Sequence, residues 1–195
     1  MMTNELWYEV ADAGVDLTQG DIILNCPIVR WSSTDFNDET QSDIQLLKSL
    51  VEAAEVDVVV MTQGCDLENR KVENIILCPH FSLNQYKEDW EETMRNLHQN
   101  PTPKAWGKYC DDIKNGYLWN LSMLNEGTIG ELSLTHRIVD FHEVYTLPRT
   151  FLESWLQSEN KSRLRLRPPY REHLSQAFAR FFMRVGLPTG ISKAW

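Results

Sequence analysis

Val56-Asp57-Val58-Val59-Val60-Met61-Thr62-Gln63-Gly64-Cys65-Asp66-Leu67 runs from an almost unbroken β-branched stretch into a polar reversal, and Val72-Glu73-Asn74-Ile75-Ile76-Leu77 answers it. β-Branched side chains suit a pleated surface, and the lack of alternation predicts a strand covered on both faces. Together the two runs predict an antiparallel hairpin closed by a tight turn over Thr62–Leu67, and the fold is organised around it.

Upstream, Gly20-Asp21 reads as a turn into Ile22-Ile23-Leu24, with Pro27 restricting that strand to an edge or a bulge. Residues 32–42 are polar and read as a loop. Ile44, Leu46, Leu47, Leu50, Val51 and Ala54 recur at helical spacing and predict a short amphipathic helix over 43–54. Downstream, residues 83–98 carry a polar helical pattern anchored by Tyr86, Trp90, Met94 and Leu97, which Pro101 and Pro103 end. A second short helix is predicted over 104–114, a loosely alternating segment over 117–124, a turn at Asn125-Glu126-Gly127, and a strand pair across 131–146 that stops at Pro148. Residues 149–157 read as a helix and Arg163-Leu164-Arg165-Leu166-Arg167 as a period-two strand. The clearest helix covers Tyr170–Val185, where Leu174, Ala177, Phe178, Phe181, Phe182 and Val185 form one apolar stripe suited to core packing, between Pro168-Pro169 and Gly186. The fold class is therefore α+β: a small, partly closed antiparallel β-barrel or sheet with helices around it and a C-terminal amphipathic helix. Residues 1–195 form one domain, with a barrel-like core at 15–82, a helical and hairpin extension at 83–158 and a basic strand-helix at 159–195.

With 42% hydrophobic and 10% aromatic residues in 195, the chain can build a core, which excludes a disordered chain. No apolar run approaches the roughly 18–20 residues that span a bilayer. The first twelve residues hold acids and no Lys or Arg, unlike a secretory signal. Four cysteines, Cys26, Cys65, Cys78 and Cys110, read as reduced thiols, so the expected location is the cytoplasm. Charge is segregated. Residues 159–195 hold eight basic side chains against Glu159 and Glu172, whereas the first 158 hold 11 basic and 26 acidic, for a net charge of −9 overall. An acidic body with a basic end predicts either internal docking of opposite charges or a surface for an anionic partner.

The reversal at Gln63-Gly64-Cys65-Asp66 is the most distinctive candidate site, because a rigid strand delivers a thiol to an exposed bend. Cys65 could serve as a nucleophile given a base or a positive charge, with Gln63 and Asp66 beside it, although the Asp66 carboxylate opposes the thiolate. The structural alternative is that Gly64 permits the turn while Asp66 and Asn69 cap local amides. Cys26, Cys65, Cys78 and His80 could in principle make a Cys3His zinc set. A simple hairpin, however, puts His80 on the order of 25 Å from the turn, and the C-x2-C spacing is missing, so no metal and no cofactor are expected. His136, His142 and Arg149 are the remaining partners that Cys65 could recruit. No phosphate-loop or nucleophile-elbow motif occurs.

Arg163, Arg165 and Arg167 would project from one strand face about 6.6 Å apart, near the spacing of consecutive phosphates, with Arg171, Arg180 and Arg184 on the following helix. These six arginines are the predicted partner-binding set, for nucleic acid or an acidic protein. Seven tryptophans also make a larger assembly, through an exposed aromatic patch, a reasonable expectation.

Gln19-Gly20-Asp21-Ile22-Ile23-Leu24 with Pro27, followed by Val58-Val59-Val60-Met61-Thr62, resembles the entry to the SH3-like barrels of the MazF/PemK toxin family, over about residues 18–80. The resemblance implies a small barrel. That family consists of endoribonucleases acting on single-stranded RNA, and its Arg-Pro pair before the second apolar strand is replaced here by Glu55-Val56-Asp57, so the activity does not come with the fold. The Gln63–Leu67 turn and Pro169-Tyr170-Arg171-Glu172-His173-Leu174 have the look of signatures of a prokaryotic-type family. The expected function is an interaction or regulatory module that binds an anionic partner through the basic strand-helix. The alternative is an enzyme, a thiol hydrolase or nuclease, centred on Cys65 and Asp66.

Overall fold

A computed structural model describes residues 6–32 and 43–183. In chain order the elements are β1 (Tyr8–Ala11), β2 (Asp21–Trp31), α1 (Asp43–Ser49), β3 (Val51–Val60), α2 (Gly64–Glu68), β4 (Asn74–Ser82), α3 (Leu83–Asn96) and α4 (Pro103–Lys114). They continue as β5 (Leu121–Leu124), β6 (Gly127–Ile129), β7 (Leu132–Leu134), β8 (Arg137–Asp140), β9 (Tyr145–Pro148), α5 (Arg149–Ser158), β10 (Arg163–Leu166) and α6 (Tyr170–Phe182). The fold is α+β. Its main antiparallel sheet runs β1-β10-β2-β3-β4-β8-β5, with β9 also on β4, and β6-β7 forms a separate hairpin. Among the described residues no helix is long and apolar enough to cross a membrane.

The β-branched run sits at the centre of this sheet. Val58 pairs with Pro79, Val59 with Cys78 and Val60 with Leu77. Val58 and Val60 belong to the apolar layer of Leu152 and Leu156 from α5, while Val59 and Met61 pack with Phe141 and with Leu174 of α6. Both faces are covered, which explains the unbroken hydrophobic run; each such side chain contributes roughly 1.5–3 kcal/mol by leaving water. α3 and α4 cover a third cluster around Ile113, Leu121 and Ile138.

The reversal after β3 differs from a tight turn. It contains α2, and the extra residues shift the register: Met61 N donates to Ile76 O at 2.8 Å and Thr62 Oγ1 accepts from Ile76 N at 2.7 Å. Thr62 therefore lies beside Ile76, not Val72. The predicted strand pair over 131–146 divides into three strands, β7, β8 and β9. β8 and β9 run consecutively along β4 as one interrupted strand, facing Ser82–His80 and then Leu77–Asn74. α1 stops at Ser49 because Val51 already pairs with Trp31.

The sheet is open, so the expected barrel reduces to a curled sheet ended by β1 and β5. Side chains, and no ladder, tie β1 to the segment after β5: Tyr8 Oη donates to Asn125 O at 2.6 Å, and the Tyr8 ring lies against Gly127. β2 carries a bulge between Ile23 and Cys26, with Asn25 at φ 50° and its amide held by Asp57 Oδ1 at 2.9 Å. Beyond the bulge β2 pairs with β3 alone, so Pro27 occupies a local edge where its missing N–H costs no ladder bond.

Candidate functional site

The strand arginines turn inward. β10 is interior to the sheet, and period two sends Leu164 and Leu166 into the core and Arg163 and Arg165 to the opposite face, which the loop before β2 covers. Arg163 Nε donates to Asp21 Oδ2 at 2.7 Å, and its other nitrogens donate to the carbonyls of Asp12, Val15 and Asp16. Arg165 donates to both Asp21 oxygens and to Asp16 O. The Arg163 and Asp21 side chains are 2% and 0% exposed. The expected strip of phosphate-spaced arginines is thus corrected: two of its three members are held by a buried carboxylate, in a cluster where removing one partner costs about 3–5 kcal/mol. Arg167 remains exposed, and Arg184 lies outside the described residues.

Two groups that sequence kept apart meet in one cleft of about 310 Å³. Gln63, Cys65 and Glu68 line one wall and Arg171, Glu172 and Ser175 the other. Gln19 Nε2 spans it, donating to Met61 O at 3.0 Å and to Ser175 Oγ at 3.2 Å. Gly64 is needed for closeness, since a Cβ there would stand 3.0 Å from Thr18 Oγ1. The thiol of Cys65 approaches Gln63 Oε1 and Asp66 Oδ1, each at 3.8 Å. Both are acceptors, so neither supplies the positive charge that activates a thiolate. Arg171, on the opposite wall, is engaged by Glu172 Oε1 at 2.7 Å, and this contact, ahead of the weaker opposing desolvation, holds the Glu172 carboxyl below the usual range. Asn69 caps the helix end by donating to Cys65 O at 2.7 Å, whereas Asp66 faces Lys71 at 4.0 Å.

The Cys3His set does not assemble. Cys26 and Cys78 are buried in different apolar clusters, and burial pushes both thiols up to about 12. His80 Nδ1 accepts from Arg137 Nε at 2.9 Å, and Arg137 also pairs with Asp57. Burial first, and Arg137 second, lower His80 to about 3, so its ring is neutral and its Nε2 lies without a full hydrogen bond. Among the described residues no three His, Cys, Asp or Glu side chains are placed to hold a metal. His136 pairs with Glu126, His142 with Asp140 and Arg149 with Glu153, and none of the three lines the Cys65 cleft.

A second groove, of about 260 Å³, opens where the free edge of β5 faces α4 and α6. Trp7 and Tyr170 stack in its wall with ring centroids 3.9 Å apart and planes 12° from parallel, and Lys114, Ser122, Met123 and His173 complete it. Among the described residues no carboxylate lines it. Beside it Tyr117 is 69% exposed, and the Arg180 guanidinium lies 5.4 Å from the Trp119 ring centroid. Of the loosely alternating segment over 117–124 only Leu121–Leu124 forms a strand, and Tyr117–Asn120 is an aromatic loop; the sequence signal for it is Asn115-Gly116, whose glycine takes φ 70° just past the end of α4. Trp7 and Lys114 gave no sequence signal, because only the tertiary fold brings β1 to α4.

No protein-family model and no curated protein matches the chain.

Proposed function

We propose that this chain is a binding module that takes an anionic partner in the groove between β5, α4 and α6. The observation that carries the reading is the groove's charge: in a protein of net charge −9 no carboxylate among the described residues lines it, and Lys114, His173 and Arg180 lie in or beside it. The contact thus passes from the strand arginines to the helix that follows them. Aromatic faces next to cations favour single-stranded nucleic acid, since bases stack on rings while ammonium and guanidinium groups follow the phosphates. The acidic body confines such contact to this one face.

The test is fluorescence anisotropy with a labelled oligothymidylate, and separately with an oligoglutamate peptide. Lys114→Gln and Arg180→Gln should each weaken oligonucleotide binding several-fold and flatten the log–log salt slope by about 0.7. Trp119→Ala should weaken it without changing the slope, and Cys65→Ala should leave it unchanged. Preference for the peptide would move the partner to an acidic protein. Binding that ignores all three groove substitutions, or no binding of either probe, overturns the reading. The thiol-enzyme alternative has no supporting observation, because the partners of Cys65 are an amide oxygen and a carboxylate.

A further inference from the structure

The bulge in β2 opens a second kind of site. β10 pairs with β2 only at Leu164↔Ile22 and Arg165↔Asp21. Past Ile23 the bulge draws β2 toward β3, anchored by Asp57 on the Asn25 amide, and the two strands diverge. The wedge between them is a cavity of about 280 Å³, roofed by the β6-β7 hairpin and floored by α5. Leu24, Leu132, Leu134 and Leu156 make its walls predominantly apolar.

One ammonium group stands in this wall. Lys161 follows the end of α5, its backbone amide fixed on Leu156 O at 3.0 Å. Its Nζ lies 4.4 Å from the Trp155 ring centroid and 3.5 Å from Leu24 O, the carbonyl that β10 would have paired had the ladder continued. Among the described residues Lys161 forms no ion pair with a carboxylate, and the other cation of the lining, Arg163, is committed to Asp21. Glu131 sits exposed at the mouth, on the hairpin tip. A half-buried ammonium held against an aromatic face, at the end of an apolar cavity, matches an anionic head joined to a short apolar body.

We propose that the wedge between β2 and β10 binds a small apolar carboxylate, its carboxylate on Lys161 and its hydrocarbon or aryl part among the four leucines. At about 280 Å³ the cavity lies just under the roughly 300–1,000 Å³ of drug-sized sites, which limits the ligand to roughly the size of hexanoate or phenylacetate.

The experiment is saturation-transfer NMR and calorimetric titration of the intact chain with hexanoate, phenylacetate and their neutral analogues hexanol and phenylacetamide. The carboxylates should bind saturably, at least tenfold tighter than the neutral analogues. Lys161→Met keeps the apolar stem and should remove that preference, leaving all four probes equal. Leu132→Trp, on the partly exposed hairpin, should fill the cavity and abolish binding while the thermal transition stays cooperative. Absence of saturable binding, equal affinity for acids and neutral analogues in the unmodified chain, or retention of the preference in Lys161→Met each overturns the proposal. Should Leu132→Trp fail to fold, the Lys161→Met comparison decides alone.

Discussion

Two carboxylate–arginine clusters, Asp21 with Arg163 and Arg165, and Asp57 with Arg137 and His80, lie within the sheet and set the behaviour of individual residues. In the second cluster the imidazole is neutral because burial and the adjacent guanidinium both oppose its charge. The folded value of about 3 lies below the ordinary 6.5, so the unfolded chain binds the extra proton. The stabilising effect is complete above pH about 6.5 and is lost progressively as pH falls toward 3, at up to roughly 1.4 kcal/mol per pH unit from this one group. Urea unfolding followed between pH 7.5 and 4.5 should show this decline. The His80 ring resonances should stay unshifted across the same range until the protein unfolds; a titration of His80 midway would show that the ring is not held neutral.

Elements meet at a few positions where only one residue size fits. The β6-β7 hairpin packs against β1 so closely that a Cβ on Gly127 would stand 2.5 Å from the Tyr8 ring. That ring cannot yield easily, being 3% exposed and tied through its hydroxyl to Asn125 O. Gly127→Ala should therefore cost about 1–3 kcal/mol by overpacking, read as a lower urea midpoint with an unchanged m-value. Gly130→Ala, at the hairpin tip with open space around it, separates this contact from general loss of glycine; its φ of 59° makes a smaller backbone penalty the expected result. Equal losses at the two sites would mean that the Tyr8 contact does not fix the hairpin.

Across the whole molecule the four thiols report on how the layers are closed. Cys65 is exposed, Cys110 is intermediate, and Cys26 and Cys78 are 0% exposed on opposite faces of the sheet. Burial pushes the latter two to about 12, so neither presents a thiolate in the native state. Labelling with a thiol-reactive disulfide at pH 8 should proceed at Cys65 first and Cys110 more slowly. Cys26 and Cys78 should react together, at the rate of global unfolding, because their layers share β2, β3 and β4. Independent reaction of one before the other would show that a layer opens alone.

The strands were legible where burial is two-sided or the charge pattern strict: Val58–Val60 had to be a central strand, and Arg163–Leu166 had to alternate. α3, α4, α5 and α6 followed equally from their periodicity and their breakers, since those features act over a few residues. What period two left open was what covers each strand face. Arg163 and Arg165 read as a solvent strip, and they became an internal anchor because Asp21, some 140 positions earlier in the chain, pairs with their strand and a loop closes over them. The same long-range pairing brought Arg171 to the Cys65 cleft and Trp7 to the α4–α6 groove. A local pattern fixes which side chains share a face. Only the tertiary packing decides whether that face meets water, a carboxylate or another element, because the desolvation that settles it depends on contacts distant in sequence.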